Sequence, residues 1–291
     1  MRILHLDSGR EMRGGQWQVL SLLGALGGGN VLLTPANGPL MRAASQQGID
    51  VRPLSFLAIA SLGQQSDLIH AHDARSHTWA ASVPGTPLVV SRRVAFAVGR
   101  SFLSRWKYRR AQRYLAVSEH VKRTLINADV PESRITVVYD GVAIPERASE
   151  GDRIIAIRTD DPMKGTDLLD RAAALGNFTV HYSSNLRADL TSAGLFVYIT
   201  RSEGLGSAAL MAMAAGVPVV ASNVGGLPEV VEHCKSGILT ENTPQAIADA
   251  VALAFRRRDE LGHRARRAME ERFSVDQMVQ RTRQAYLQVL G

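Results

Sequence analysis

Apolar residues gather in short runs separated by longer segments in which they recur with helical spacing. The runs MRILHL, NVLLT, DLIHAH, PLVVS, RYLAVS and RITVVYD read as buried strands, and the segments between them are long enough for helices. Such alternation predicts an α/β protein with a parallel sheet covered by helices on both faces. The pattern stops at GVAIPERASEGD, residues 141–152, and restarts with RIIAIR, FTVHYS, LFVYIT and VPVVAS. Two domains are therefore expected, residues 1–148 and 149–274. A helix over 275–291, apolar at Met278, Tyr286 and Leu290, is free to pack back on the amino-terminal domain.

Composition agrees with an ordinary globular chain. The 291 residues suit two domains, and 45% hydrophobic against 21% charged residues argues against disorder. MRILHLDSG is expected to be a strand entering a Gly loop rather than a signal peptide, and no apolar run is long enough for a membrane span. The single cysteine, Cys234, excludes an intrachain disulfide and a Cys-rich zinc site, in keeping with a cytoplasmic protein.

Charge changes the picture in one place. Residues 1–150 hold 18 Lys and Arg against 11 Asp and Glu, whereas the remainder holds 16 of each, so the whole net charge of +7 lies in the first half. Between Arg92 and Arg113 there are eight basic residues and no acid, interleaved with Phe96, Phe102, Leu103, Trp106 and Tyr108. This stretch is either a solvated helix face or a patch for an anionic membrane surface or acceptor, carried by Arg100, Arg105, Trp106, Lys107, Arg109 and Arg110. Nucleic acid ranks last, because no motif for it accompanies the patch.

Ligands of open parallel sheets bind where strand carboxyl ends meet helix amino termini. Gly14 and Gly15 stand at the first such loop, where two glycines allow close backbone approach to a phosphate or sugar. A stronger signal is SEGLGSAALMAMAAG, in which a strand, a Gly-bracketed loop and a run of helix formers follow in order. That order makes an anion cradle of backbone N–H groups, with Glu203 able to accept hydrogen bonds from hydroxyls. Arg158 and Lys164 leave the first strand of the same domain and are expected near this loop, where they can neutralise a pyrophosphate.

The set RGGQWQVL, DLIHAH, YLAVSEHV, VVYDGV, IRTDDPMKG and SEGLGSAALMAMAAGVPVVASNVGGLPEVV resembles the retaining family-4 glycosyltransferases of the GT-B fold, in order and over most of the chain. The resemblance implies two Rossmann-like parallel-sheet domains facing across a cleft. It implies a nucleotide-sugar donor, of UDP or GDP type, on the carboxyl-terminal domain and transfer, with retention, to an acceptor hydroxyl; together with the basic patch, these motifs point to a lipid-linked or envelope glycan as acceptor. No metal or other cofactor is implied, and the expected location is the cytoplasm, peripheral at the inner membrane face. Arg158 and Lys164 match the diphosphate-binding pair with one extra residue between them. Glu203 matches the acid that contacts the donor sugar, Gly204, Leu205, Gly206 and Ser207 match the amide loop, and His72 matches a histidine that donates a hydrogen bond near the reacting carbon.

Two departures accompany these matches. Met211, eight positions after Glu203, stands where a second glutamate is expected to hold the ribose. Losing that charge-assisted bond costs about 1.5 to 3 kcal/mol, or tenfold to a hundredfold in affinity unless another group substitutes. The stretch NFTVHYSSNLRADLTSAG is also short of one strand-helix unit, which puts base recognition in question. These departures keep two alternatives open: a non-catalytic nucleotide-sugar binder or partner subunit, and a nucleotide-sugar epimerase.

Overall fold

A computed structural model describes residues 1–99 and 101–291. The chain divides into two compact units, Met1–Gly141 with Val275–Gly291, and Val142–Ser274.

The first unit runs β1 (Ile3–Leu6), α1 (Gly14–Leu26), β2 (Asn30–Thr34), α2 (Pro39–Gln46), β3 (Asp50–Pro53), α3 (Phe56–Gln64), β4 (Leu68–Ala71), α4 (Ala74–Ala81), β5 (Leu88–Arg92), α5 (Phe102–Arg110), β6 (Arg113–Ala116), α6 (Glu119–Ile126) and β7 (Ile135–Val137). Its sheet has the order β3-β2-β1-β4-β5-β6-β7. Every pair is parallel. β1 and β4 are buried along their whole length, which is why they read as unbroken apolar runs. Helix starts are marked locally: Ser55, Asp73, Ser101 and Ser118 each accept a backbone N–H of the helix they precede.

The second unit runs β8 (Arg153–Ile157), α7 (Thr166–Gly176), β9 (Val180–Ser183), α8 (Leu186–Asp189), β10 (Ala193–Tyr198), α9 (Ser207–Ala214), β11 (Val219–Ser222), α10 (Leu227–Val230), β12 (Gly237–Thr240), α11 (Pro244–Arg256) and α12 (Arg258–Arg272). Its parallel sheet has the order β12-β11-β10-β8-β9. The chain leaves β8 toward β9 and then returns past β8 to form β10, so the sheet reverses direction between β8 and β10. One core joins β8 and β10 to α7 and α11 through Ala156, Leu195, Val197, Leu169, Ile247 and Val251.

The last helix, α13 (Val275–Leu290), belongs to the first unit, where Met278, Val279, Ala285 and Tyr286 pack with Leu22, Leu26 and Leu68. Residues 142–148 fall in the second unit, ahead of the division expected at residue 148. The physical reason is a set of ties: Val142 bridges to Ser274 and donates to the Phe273 carbonyl, the Ser149 N–H donates to the Ala215 carbonyl at 2.7 Å, and Arg266 holds the Pro145 carbonyl at 2.6 Å. Among the described residues, no helix is long and apolar enough to cross a membrane.

Candidate functional site

The reversal between β8 and β10 places two loops side by side at the carboxyl edge of the second sheet, the position where open α/β sheets take ligands. The loop after β8 carries Lys164, and the loop after β10 carries Glu203. Their side chains meet, with Lys164 Nζ donating to Glu203 Oε2 at 2.8 Å. The Tyr198 hydroxyl, at the end of β10, donates to the same oxygen at 2.5 Å, and the Gly204 N–H donates to Oε1 at 3.0 Å. Burial first, and then the Glu203 charge, push the Tyr198 phenol well above its ordinary value, so it stays a donor. A carboxylate has about four acceptor positions, and three are used here. The arrangement leaves Glu203 capacity for a hydroxyl and keeps a cation beside it.

A second layer fixes the two loops. Thr200 Oγ1 donates to the Met163 carbonyl at 3.0 Å, and the Arg201 N–H donates to the same carbonyl at 2.7 Å, which ties the β8 loop to the end of β10. Ser222 and Asn242 brace Thr200 from β11 and from the loop after β12. Beneath the EGLG loop, Cβ atoms at Gly225 and Gly226 would collide with the carbonyl oxygens of Glu203 and Gly204. Only glycine permits that approach.

Gly206 has φ of 106° and offers no side chain to cap α9. Amides in the first turn of a helix have no partner within the helix. Together with the helix dipole they suit an anion, and Leu205, Gly206 and Ser207 lie there. Asp161 accepts the Met163 N–H, serving the local turn.

Arg158 departs from the expected pairing with Lys164. Its guanidinium lies 4.1 Å from the Tyr182 ring centroid and 3.5 Å from an Asp170 oxygen, while the Tyr182 hydroxyl donates to the same carboxylate. Residues on α7 and β9 thus hold it, and its side chain remains 58% exposed. Met211 sits on α9 one turn beyond Ser207, and Ala215 one turn further on the same side. Met211 and Ala215 wall a cavity of about 620 Å³.

In the first unit, Gly14 and Gly15 open α1. Gln16, just inside, donates to both oxygens of Asp7 at 3.0 and 3.1 Å, and the Gly9 N–H donates to Oδ1 at 2.8 Å. Asp7 is 1% exposed, and burial followed by the neighbouring Asp73 charge raises its pKa.

His72 sits directly after β4, stacked on His5. Burial is the largest cause holding both rings below their ordinary pKa, His5 to about 4, so both are neutral near pH 7. Asn30 donates its amide to the Gly27 carbonyl, which turns its oxygen toward His5 Nε2 at 3.3 Å. His5 Nε2 therefore carries the proton, and His5 Nδ1 accepts from His72 Nε2 at 3.0 Å. His72 is left with an unprotonated Nδ1, buried and without a partner among the described residues. Its N–H faces His5 rather than a sugar, contrary to the donor role implied by the resemblance.

The ring nitrogens of His5, His70 and His72 include three that lie within 4.8 Å of one another, a grouping that has the elements of a metal site. Yet His70 already meets the Tyr286 hydroxyl at 2.6 Å and Ser91 Oγ at 2.8 Å, so the trio is knit into hydrogen bonds instead.

The basic stretch divides by helix face. In α5 no residue is buried; Phe102 is 85% and Leu103 65% exposed, with Trp106, Arg105 and Arg109 also outward. Lys107 instead donates to the Ala74 carbonyl and Thr78, and Arg110 to the carbonyls of Val83 and Thr86. Both anchor α5 to its neighbours, and so leave the outward cationic set to Arg105 and Arg109. Arg100 lies outside the described residues. Tyr198 and His5 escaped the sequence reading because an aromatic and a histidine inside apolar strands look like core, and Asp7 because it follows β1 as a lone acid in a loop.

Two Rossmann-like units, one carrying an anion cradle and a Lys–Glu pair at its point of reversal, define a nucleotide-binding class of α/β protein. The chain belongs to the glycosyltransferases of GT-B fold: residues 27–144 match the model for Glycosyltransferase Family 4, and residues 168–272 that for Glycosyl transferases group 1. The crystal structure of Anabaena HepE in complex with UDP superposes over 99% of this chain and 100% of its own with a TM-score of 0.87, at 17% identity. N-acetyl-alpha-D-glucosaminyl L-malate synthase of Bacillus anthracis is 32% identical over 133 residues, 44% of this chain and 33% of that protein. A GDP-mannose-dependent alpha-(1-6)-phosphatidylinositol monomannoside mannosyltransferase of Mycobacterium tuberculosis is 53% identical over 51 residues, 17% of this chain and 13% of that one. These alignments span a third or less of either relative's length.

Proposed function

We propose that this chain moves a sugar from a nucleoside-diphosphate donor to an acceptor hydroxyl, with retention and without a metal. The observation that carries the reading is the Lys164–Glu203–Tyr198 cluster beside the amide loop Gly204–Gly206. Lys164 and the first-turn amides of α9 stabilise charge that develops on the departing diphosphate, where preorganised donors act most strongly. Arg158 joins them by exchanging its Asp170 partner for phosphate. Glu203 orients a sugar hydroxyl through its remaining acceptor position. Attack on the face the diphosphate leaves, with that diphosphate taking the acceptor's proton, gives retention.

The relatives support a UDP or GDP donor, since one structural neighbour holds UDP and one relative is named for GDP-mannose. The acceptor we favour is a lipid-linked or envelope glycan at the cytoplasmic membrane face. The exposed Phe102, Leu103 and Trp106 beside Arg105 and Arg109 support it, because apolar anchors and cations together suit an anionic interface.

The test is a screen of UDP- and GDP-sugars with purified protein and membrane extract, following release of nucleoside diphosphate. Turnover that Glu203→Ala removes is expected; turnover unchanged in that variant refutes the role given to Glu203. Donor binding without transfer, favoured by Met211, identifies a non-catalytic binder. A sugar that changes while still attached to its nucleotide identifies an epimerase.

A further inference from the structure

The first sheet also reverses direction. The chain steps outward from β1 to β3, then returns past β1 to form β4 and moves the other way, so β1 and β4 are neighbours. Their following helices lie on opposite faces: α1 packs on α2 and α13, whereas α4 packs on α3 and α5. A crevice forms outside the carboxyl ends of two such strands, and open α/β sheets take ligands there. An open cavity of about 560 Å³ lies at this place, lined by Ser8 and Arg10 from the loop after β1 and by Asp73, Ala74 and Arg75 from the start of α4.

Asp73 pins the two loops together. It accepts from the Ser8 N–H and hydroxyl at 2.6 and 2.7 Å and from the Arg75 and Ser76 N–H groups at 2.8 and 3.0 Å. These bonds occupy the acceptor positions of a carboxylate, and they also commit the first amides of α4. Arg10 and Arg75 flank the pinned junction with exposed side chains, and neither has an acid partner among the described residues. Glu11, beside Arg10 in sequence, is taken by Arg13 at 2.8 Å. The cavity therefore offers two unpaired guanidinium groups over a saturated acid. Each guanidinium is a planar fork of donors that matches the oxygens of a phosphate.

We propose that this cavity holds a phosphate group of the acceptor, with Arg10 and Arg75 as its two cationic ligands. The proposal rests on the transferase reading above, in which the donor's diphosphate belongs to Lys164 and the amide loop of the second unit; the crevice of the first unit is then left to the other substrate. The acceptor is a phosphorylated molecule, either a soluble polyol or sugar phosphate or a lipid whose head group carries the phosphate, since both present the same chemistry.

NMR titration of the full chain with glycerol phosphate, and with glycerol as the uncharged control, tests it. The wild type is expected to bind glycerol phosphate and not glycerol. Arg10→Ala and Arg75→Ala should each weaken glycerol phosphate about tenfold. Both side chains are exposed, so the melting temperature should be preserved. Lys164→Ala should leave this binding unchanged. Dihexanoyl phosphatidylglycerol, used as a monomer, separates the two sources. Tighter binding than glycerol phosphate that still needs both arginines assigns the phosphate to a lipid head group, and equal binding assigns it to a soluble acceptor.

If glycerol phosphate keeps its affinity in both arginine variants, or loses it only in Lys164→Ala, the cavity assignment is overturned. Titration of the wild type with UDP and GDP keeps the two readings apart. If neither nucleotide binds while glycerol phosphate still needs both arginines, the transferase reading fails, and with it the ligand's role as acceptor, whereas the phosphate site stands.

Discussion

Replacing Glu203 by Gln is expected to tighten the binding of bare nucleoside diphosphate while abolishing sugar transfer. The Lys164 ammonium is already committed to Glu203 at 2.8 Å, with side chains 31% and 18% exposed. A diphosphate must compete with that carboxylate for Lys164 and also accept its negative charge nearby. Exposed pairs are worth about 0 to 1 kcal/mol and charge-assisted hydrogen bonds about 1.5 to 3 kcal/mol. A mostly buried pair falls between, at about 1.5 kcal/mol, which corresponds to roughly tenfold in affinity. Glu203→Gln keeps the side chain's shape and one carbonyl acceptor, for either Tyr198 or Gly204, and removes the charge that holds Lys164. Calorimetry with UDP and GDP should therefore show about a tenfold gain, smaller at high salt because the partners are charged. Lys164→Ala should reverse the sign, and the double variant should bind like Lys164→Ala alone. A loss of affinity in Glu203→Gln would refute the reasoning, since it would make the acid a ligand of the diphosphate's surroundings rather than a competitor for its cation.

Two further outcomes follow from the first unit. Arg105→Glu with Arg109→Glu should weaken binding to phosphatidylserine vesicles by roughly thirtyfold or more, at about 1 kcal/mol per cation near the surface; unchanged sedimentation with vesicles assigns that face another purpose. Acid should unfold the protein early. His5, His70, His72 and His77 are held below the ordinary value of 6.5, chiefly by burial, so below pH 6.5 the unfolded chain binds more protons and stability falls as pH falls. For His5, whose pKa is near 4, the loss between those values is about 3 kcal/mol. Urea unfolding from pH 7.5 to 4.5 should show this slope, and His5→Gln should flatten it; an unchanged slope removes His5 from the account.

The sheets were legible where burial on both faces writes an apolar run, as in Ile3–Leu6, Leu68–Ala71 and Ala193–Tyr198. β3 was not, because DVRP is an edge strand whose Asp50, Arg52 and Pro53 are exposed and whose one neighbour is β2. β12, GILT, is too short for its pattern to rise above that of a loop. The approach of Lys164 to Glu203 spans 39 residues and depends on the reversal between β8 and β10, which no local pattern reports. The basic helix shows the same limit from another side. Periodicity pairs Lys107 with Arg110 and Arg105 with Arg109, but only the packing of α5 on α4 decides which pair faces inward.

The two departures from the family pattern meet on one wall. The short β9–β10 passage strips cover from α9, and Met211 removes an acid from that side of the same helix. At the carboxyl edge Lys164, Glu203, the amide loop and the Gly225–Gly226 support beneath it are in place, while Arg158 is turned to Asp170 and Tyr182. Variants at the two ends should then separate by ligand. Glu203→Gln should shift UDP and GDP alike, because both present the same diphosphate to Lys164. Substitution of Met211, one turn along α9 from that loop, should change the affinity for nucleoside diphosphates and leave pyrophosphate alone; an equal shift of all three ligands would place the nucleoside elsewhere.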